Sequence, residues 1–157
     1  MSDTLEIKTK TLDDQLYIEL CGPIDEDANF EHILAYENNL YVFDFQNISM
    51  MNSCGVREWI NFIEDLPQGA KLIYKNCPQV LIEQINMVQG FMREGARIDS
   101  FYAPYYSEEK DQVFPILLKT EQVVQGKAPI IKHPETGEEL EFDAIEAQYF
   151  NFIKQQK

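Results

Sequence analysis

A cysteine at the predicted start of a helix is the residue whose type and position could best support chemistry. Cys54 follows Asn52 and Ser53 and precedes Gly55, where the apolar period of a helix begins. The dipole at a helix N-terminus favours a thiolate, and Arg57 would add positive charge one turn later. These features allow a redox-sensing or nucleophilic thiol. We favour the alternative that Cys54 fills a small apolar space where the loop meets a sheet, because free cysteines are often buried.

A pair of acids is a second chemical possibility, although structural roles fit these residues better. Asp25 and Asp44 could act as an acid–base or metal-binding pair. We expect instead that Asp25 holds a turn and that Asp44 bonds to a neighbouring backbone or to Arg57. The two histidines of the chain, His32 and His133, lie far from the helix in sequence, so a Cys–His pair has no support. The chain also has no glycine-rich phosphate loop and no metalloprotease or nucleophile-elbow motif. We therefore predict no catalytic residue, no metal and no cofactor.

The charge and the cysteine content limit the kind of protein. The chain has 157 residues, with 27 acids against 13 bases and a net charge of -14. Such a chain repels nucleic-acid phosphates and anionic membrane surfaces. Its three cysteines form no C-x-x-C pair, which is typical of free thiols in a reducing compartment. We see no leader peptide and no run of about 20 apolar residues. We therefore expect a soluble, cytoplasmic protein without a membrane span.

A strand, a loop and a helix between residues 40 and 66 must position the residues around Cys54. Residues 40–45 form an apolar and aromatic run typical of a buried parallel strand. A polar turn is predicted at 46–49. The helix after it has one apolar face, which consists of Val56, Trp59, Ile60 and Ile63. On this face Trp59 is predicted to belong to the core.

The other elements of the first hundred residues predict a mixed α/β fold. Strands over 5–10 and 16–20 form a hairpin, and Gly22-Pro23 is expected to break the second strand because proline lacks an N–H. A short helix at 30–34 and a strand within 69–75 follow. The next helix is capped by Asn76 or Cys77, has Pro78 in its first turn and ends near Gln89. Residues 96–103 are predicted as one strand. This order predicts a mainly parallel sheet of four to five strands with helices packed against it.

The last third of the chain, 104–157, is predicted to be a C-terminal extension of the domain formed by 1–103. A turn at 104–111 precedes a strand at 113–119, and two more turns lie at 125–127 and 133–137. Asp143 is expected to cap a C-terminal helix, with Glu146 completing a capping box. The extension is therefore predicted to be a small β-hairpin followed by a helix.

Residues 5–103 resemble the STAS domain, the family of bacterial anti-sigma-factor antagonists. Residues 22–25 (GPID) are similar to the family's turn of glycine, any residue, hydrophobic residue and aspartate. Residues 43–45 (FDF) and 51–56 (MNSCGV) are similar to its strand and switch loop. The order of the predicted elements also agrees with the family.

The resemblance implies a binding module, not an enzyme. Family members dock onto a serine kinase or an anti-sigma factor through the switch loop and the following helix. Phosphorylation of the serine just before the glycine breaks the complex, because the phosphate adds close to two negative charges to the contact. In this chain the docking surface would span residues 52–65. Its switch loop and exposed helix face comprise Asn52, Ser53, Cys54, Gly55, Arg57, Glu58 and Asn61.

The chain departs from the family pattern at the switch itself. Cys54 stands where the phosphorylated serine would be, and Asn52 stands at the aspartate position. Ser53 matches the first serine, which is normally unmodified. A thiol is no substrate for a serine kinase. Three alternatives follow: the switch is lost, Ser53 is phosphorylated instead, or a partner recognises the site in a different way. We favour loss of the switch with the docking surface retained.

The extension has a resemblance of its own, to a zinc ribbon. Ser107-x-x-Lys110 and residues 133–137 (HPETG) have the spacing of two knuckles, and the second is similar to C-P-x-C-G with its cysteines replaced. A ribbon needs four thiolate or imidazole ligands, and here only His133 qualifies. We therefore expect a ribbon-like hairpin that has lost its metal and is held by apolar contacts.

The resemblance thus implies a non-enzymatic interaction module of bacterial signalling and transcription regulation. It would bind a cytoplasmic protein partner through 52–65 and would bind no nucleic acid. The alternative is a thiol-based redox sensor or enzyme that uses Cys54. A third possibility is a scaffold subunit that acts through the extension, and homodimer formation is left open.

Overall fold

A five-stranded mixed sheet forms the first part of the molecule. The computed structural model describes residues 4–88 and 90–155. The first two strands are antiparallel and the other neighbours are parallel, in the order β1-β2-β3-β4-β5. The strands are β1 (Glu6–Leu12), β2 (Gln15–Ile24), β3 (Leu40–Met51), β4 (Lys71–Lys75) and β5 (Ala96–Ile98). This confirms the predicted mixed, mainly parallel sheet and its opening hairpin.

Two helices and a short 3-10 helix connect these strands. Helix α1 spans Ser53–Glu64 and helix α2 spans Gln79–Met87. The 3-10 helix spans Glu31–Ala35, and its neighbour Phe30 is buried. The predicted end of the second helix near Gln89 lies outside the described residues. Pro78, not Asn76 or Cys77, is the N-cap of α2.

The core of this part is an aromatic cluster around Trp59, which is 0% exposed. Its ring contacts Phe43 and Phe45 of β3 edge to face, with centroid distances of 5.0 and 5.4 Å. Further rings around it belong to Phe30, Phe62, Tyr74 and Phe91. The prediction that Trp59 belongs to the core is therefore confirmed.

Two predicted breaks in this sheet are wrong, for a shared reason. Strand β2 continues through Gly22 and Pro23 to Ile24, and β3 continues through the polar residues 46–49 to Met51. The two strands stay paired because the register shifts twice, between Glu19 and Cys21 and again between Gly22 and Pro23. Such irregularities accommodate a residue that cannot donate a ladder hydrogen bond.

A second, antiparallel sheet contains the strands of the extension. Its order is β7-β6-β9-β8. The strands are β6 (Ser100–Ser107), β7 (Gln112–Lys119), β8 (Ile131–Lys132) and β9 (Glu139–Phe142). The single strand predicted at 96–103 is wrong, because the chain passes from one sheet to the other at Asp99. There the Asp99 N–H donates to the Tyr74 carbonyl, and the Asp99 carbonyl accepts from the Thr120 N–H.

The junction between the sheets also changes the start of the extension. Residues 104–107, predicted as part of a turn, belong to β6, and the predicted domain boundary after residue 103 falls inside this strand. The strand predicted at 113–119 and the turns predicted around Gly126 and Gly137 are confirmed. Both glycines have positive φ, at 74° and 75°.

The C-terminal helix is two short helices, α3 (Glu146–Tyr149) and α4 (Asn151–Gln155). The predicted capping box is wrong, because Ile145 is the N-cap and Asp143 donates its N–H to the Pro104 carbonyl. The Glu146 carboxylate instead accepts from the Ala128 N–H at 2.8 Å. These helices pack against the second sheet, where Phe152 contacts Phe101 at 5.0 Å between centroids. Among the described residues, no helix is long and apolar enough to cross a membrane.

Candidate docking site at the start of helix α1

Besides the helical bond from the Val56 N–H to its carbonyl, Asn52 makes three hydrogen bonds that fix the start of α1. Its side-chain oxygen accepts from the Gly55 N–H at 2.8 Å, which satisfies one of the free donors in the first helical turn. Its amide group donates to the Glu26 carboxylate at 3.1 Å, and its backbone N–H donates to the Ile24 carbonyl at 3.3 Å. The bond to Ile24 joins residues 22–25 to residues 51–56, the two stretches that carry the sequence resemblance.

Gly55 lets the helix approach the end of β2 more closely than any other residue could. A Cβ at this position would lie 1.8 Å from the Ile24 carbonyl oxygen and 2.4 Å from its carbon. Both atoms belong to backbone, so a side chain could not be accommodated by a simple rotamer change. The glycine is therefore required by packing at the junction of β2 and α1.

The two residues before Gly55 face solvent. Ser53 and Cys54 are both exposed in the first turn of α1. The expectation that Cys54 fills an apolar space is therefore wrong, because Gly55 itself occupies the position against the sheet. Cys77 is the buried cysteine, and burial raises the pKa of its thiol well above the ordinary value of 9.0. An exposed hydroxyl and an exposed thiol thus stand side by side at the helix start.

The outer face of α1 continues this exposed surface. Arg57 and Asn61 are exposed, and Glu58 is half-buried. Glu64 and Asp65 are exposed near the end of the helix. The structure thus brings the predicted docking residues together on one side of α1, except that Gly55 is buried beneath them.

Sequence reasoning missed the acidic loop that borders this surface. Asp27 and Glu31 line a shallow pocket of about 350 Å³ together with Glu58, Asn61 and Asp65 of the α1 region. A backbone N–H bond and the Asn52 amide lower the pKa of the neighbouring Glu26 carboxyl. The run of acids at 25–27 was the available signal, but sequence alone did not place it beside α1.

The acids considered as a catalytic pair have structural roles. Asp25 accepts a hydrogen bond from the Asp27 N–H at 3.0 Å, which confirms its predicted place in a turn. Asp44 accepts from the Gln46 N–H at 2.9 Å and from the Asn76 amide at 3.0 Å, so its predicted backbone bond is confirmed. Within residues 4–88 and 90–155, no three His, Cys, Asp or Glu side chains are grouped closely enough to hold a metal.

The two knuckle-like turns of the extension are joined by a carboxylate. Glu138 accepts from the Ser107 hydroxyl at 2.7 Å and from the N–H groups of Glu108 and Glu109 at 2.9 and 3.2 Å. The hydroxyl of Ser107 accepts in turn from the Lys110 N–H at 3.1 Å. The Ser107 bond is the largest influence that lowers the pKa of Glu138.

His133 organises the second turn in a similar way. It is 8% exposed, and its Nδ1 accepts from the Glu135 N–H at 3.1 Å. Its ring meets Phe114 edge to face at 5.4 Å. The expected apolar contacts are therefore accompanied by polar bonds to Glu138 and His133, which the sequence did not predict. A carboxylate is the right bridge here, since several N–H and O–H donors converge on it.

Comparison with known proteins gave matches among solved structures only. No family model matches the chain, and no curated protein matches it. Among solved structures, the chain is similar to an anti-sigma factor antagonist from Mycobacterium paratuberculosis, at 16% identity and a TM-score of 0.48. The likeness covers 55% of this chain and 80% of that one.

Proposed function

We propose that this chain is a non-enzymatic, STAS-like interaction module that binds a regulatory protein through residues 52–65. The observation that carries the proposal is the junction of Asn52 and Gly55 with the end of β2. It connects the two stretches that resemble the family and holds the first turn of α1 in a fixed orientation. A preorganised exposed surface loses little conformational freedom on binding, which favours a docking role.

The proposed module works without the usual serine phosphorylation. Cys54 occupies the acceptor position, and its thiol is exposed beside the Ser53 hydroxyl. The nearby acids Glu26, Asp27 and Glu58 already make this region negative. A phosphate would add like charge there, so we propose that a residue which a serine kinase cannot phosphorylate keeps the surface ready to bind.

The experiment is affinity capture from native lysate with the wild type, Cys54→Asp and Asn39→Asp, read by mass spectrometry. Cys54→Asp places a negative charge where the family's phosphate would lie, and an acid in the first turn suits the helix dipole. Asn39→Asp is the matched control, because Asn39 is exposed and immediately precedes β3, whereas α1 follows the end of that strand. A protein retained by the wild type and by Asn39→Asp, but released by Cys54→Asp, would support docking at this site. Equal retention by all three would refute it.

A second function, thiol chemistry at Cys54, is favoured by one observation. The thiol is exposed in the first turn of a 12-residue helix. The test is the rate of alkylation of the native protein at pH 7, compared with an unfolded peptide that contains the same sequence. A native rate well above the peptide rate would support an activated thiolate. A native rate equal to or below the peptide rate would exclude thiol chemistry at Cys54 as a function.

A further inference from the structure

The face of the first sheet that points away from the aromatic core is open and carries side chains of one predominant charge. Alternation along the strands places every second residue on this face, opposite the rows that contain Phe43 and Tyr74. Tyr17, Leu40 and Ile73 on it are half-buried. The cations on it are Lys8, Lys10, Lys71, Lys75 and Arg97, and all but Lys75 are exposed.

These five cations are a large share of the 13 bases in a chain with 27 acids. Three acids, Glu6, Glu19 and Asp44, lie on the same face. The face therefore carries net positive charge, although the chain as a whole carries -14. Between the described residues, the one ion pair joins Lys127 to Glu146, so none of the five cations is paired with a described carboxylate.

A cleft at one side of this face contains two of its cations. It has a volume of about 710 Å³ and is lined by Leu40 and Ile73 from the sheet face, with Ile153 of α4 at its side. Lys71 and Arg97 line the same cleft. Asp99 and Glu121 also border it, so its edge towards the 3-10 helix at Thr120–Gln122 is acidic. The cleft combines apolar contact area with two unpaired cations, as binding sites for mixed acidic and apolar segments do.

We propose that this open sheet face, with its cleft at β4 and β5, binds an acidic segment of a partner protein that also carries an apolar side chain. Carboxylates of the segment pair with Lys71 and Arg97, and the apolar side chain contacts Leu40 and Ile73. Nucleic acid fits less well, because a long polyanion also meets the field of a chain with net charge -14. The face lies across the sheet from α1, so this binding is independent of the docking site at 52–65.

The probe is a fluorescein-labelled peptide of about ten residues, with glutamates and one central leucine, which would span about 33 Å when extended. Binding is measured by fluorescence anisotropy at about 20 mM and about 150 mM salt, because exposed charges are screened as ionic strength rises. The test variant is Lys71→Glu with Arg97→Glu. The matched control is Lys110→Glu with Lys132→Glu, which makes the same change in net charge at exposed positions of the extension.

We expect the peptide to bind the wild type more tightly at low salt and the test variant about tenfold more weakly. The control variant should lose less than threefold. Amide chemical-shift changes should fall on β4 and β5 in the wild type, which locates the site without relying on a variant that could misfold. No binding at low salt, an equal loss in both variants, or tighter binding of a single-stranded oligonucleotide would each overturn the proposal. Equal binding of a peptide with glutamine in place of glutamate would also overturn it.

Discussion

Replacement of Gly55 by alanine should destabilise the protein more than any other single methyl addition to a described glycine. The new Cβ would lie 1.8 Å from the Ile24 carbonyl oxygen and 2.9 Å from the Asp25 nitrogen. Relief of this overlap requires α1 to move from the end of β2 by more than an ångström. That movement would break the 3.3 Å bond from the Asn52 N–H to the Ile24 carbonyl. The substitution therefore perturbs the packing of α1 and its backbone bond to β2 together.

The expected size of this loss is about 3 kcal/mol. Overpacking of a tight contact costs about 1–3 kcal/mol or more, and loss of a backbone hydrogen bond costs about 1 kcal/mol. Alanine recovers about 1 kcal/mol through its higher helix propensity. For a chain of this size the loss corresponds to a decrease in Tm of about 6–12 °C.

Urea unfolding followed by Trp59 fluorescence measures this loss, because Trp59 is the one tryptophan and is fully buried on the inner face of α1. Gly69→Ala is the matched control, since a Cβ at Gly69 meets no atom within 4 Å. The control should be neutral or slightly stabilising, because alanine reduces the freedom of the unfolded chain. A free energy of unfolding for Gly55→Ala within about 0.5 kcal/mol of the wild type would refute the packing argument.

Three further predictions follow from the hydrogen bonds and the thiols. Asn52→Ala should lower the free energy of unfolding by about 1 kcal/mol in urea titrations, whereas Asn52→Ser should retain most of the cap, because its hydroxyl can accept from the Gly55 N–H without placing a second carboxylate beside Glu26. Glu138→Gln should be less stable than the wild type at neutral pH, and the difference should shrink in acid. The pKa of Glu138 is lowered by folding, so its carboxylate stabilises the fold above the ordinary value of 4.5 and loses that effect as pH falls below it. In native protein, iodoacetamide should label Cys54 and leave Cys77 unmodified, as read by peptide mass spectrometry.

Each of these predictions has a result that contradicts it. Equal losses for alanine and serine at Asn52 would show that the cap contributes little. A stability difference for Glu138→Gln that stays constant from neutral pH to pH 3 would mean that the charge of the carboxylate is not what the turns require. Labelling of Cys77 as fast as Cys54 would contradict its complete burial, and Cys54→Ser provides the control that identifies the labelled peptide.

The regular elements could be predicted from sequence because each carries a repeated apolar pattern. Val56, Trp59 and Ile63 recur at helical spacing, and all three are buried. The parallel series from β3 to β5 follows from strand-length apolar runs that alternate with helices. These signals are local in the chain, so neighbouring residues suffice to detect them.

The errors arose where hydrogen bonds between distant residues override local preference. Pro23 is a strand breaker in isolation, yet register shifts in the β2–β3 pair keep it inside a strand. Asp143 is a good N-cap residue, but its backbone is held by Pro104 of β6. At the candidate site, the cap by Asn52 depends only on residues that are close in sequence. The acidic loop beside α1 and the cations across the sheet became visible only once the register of the strands was known.

The crossing at Asp99 has a consequence for how the chain folds. Strand β6 does not begin beyond the first sheet but runs beside its edge, where Cys77 donates its N–H to Ser100 and accepts from the Tyr102 N–H. Its residue Phe101 is fully buried in the common core. A fragment that ends at residue 103 would lack the second half of β6. It would also lack the C-terminal helices, whose residue Phe152 packs on Phe101. The two sheets should therefore gain and lose their structure in one cooperative transition, and the extension acts as an internal part of the folding unit.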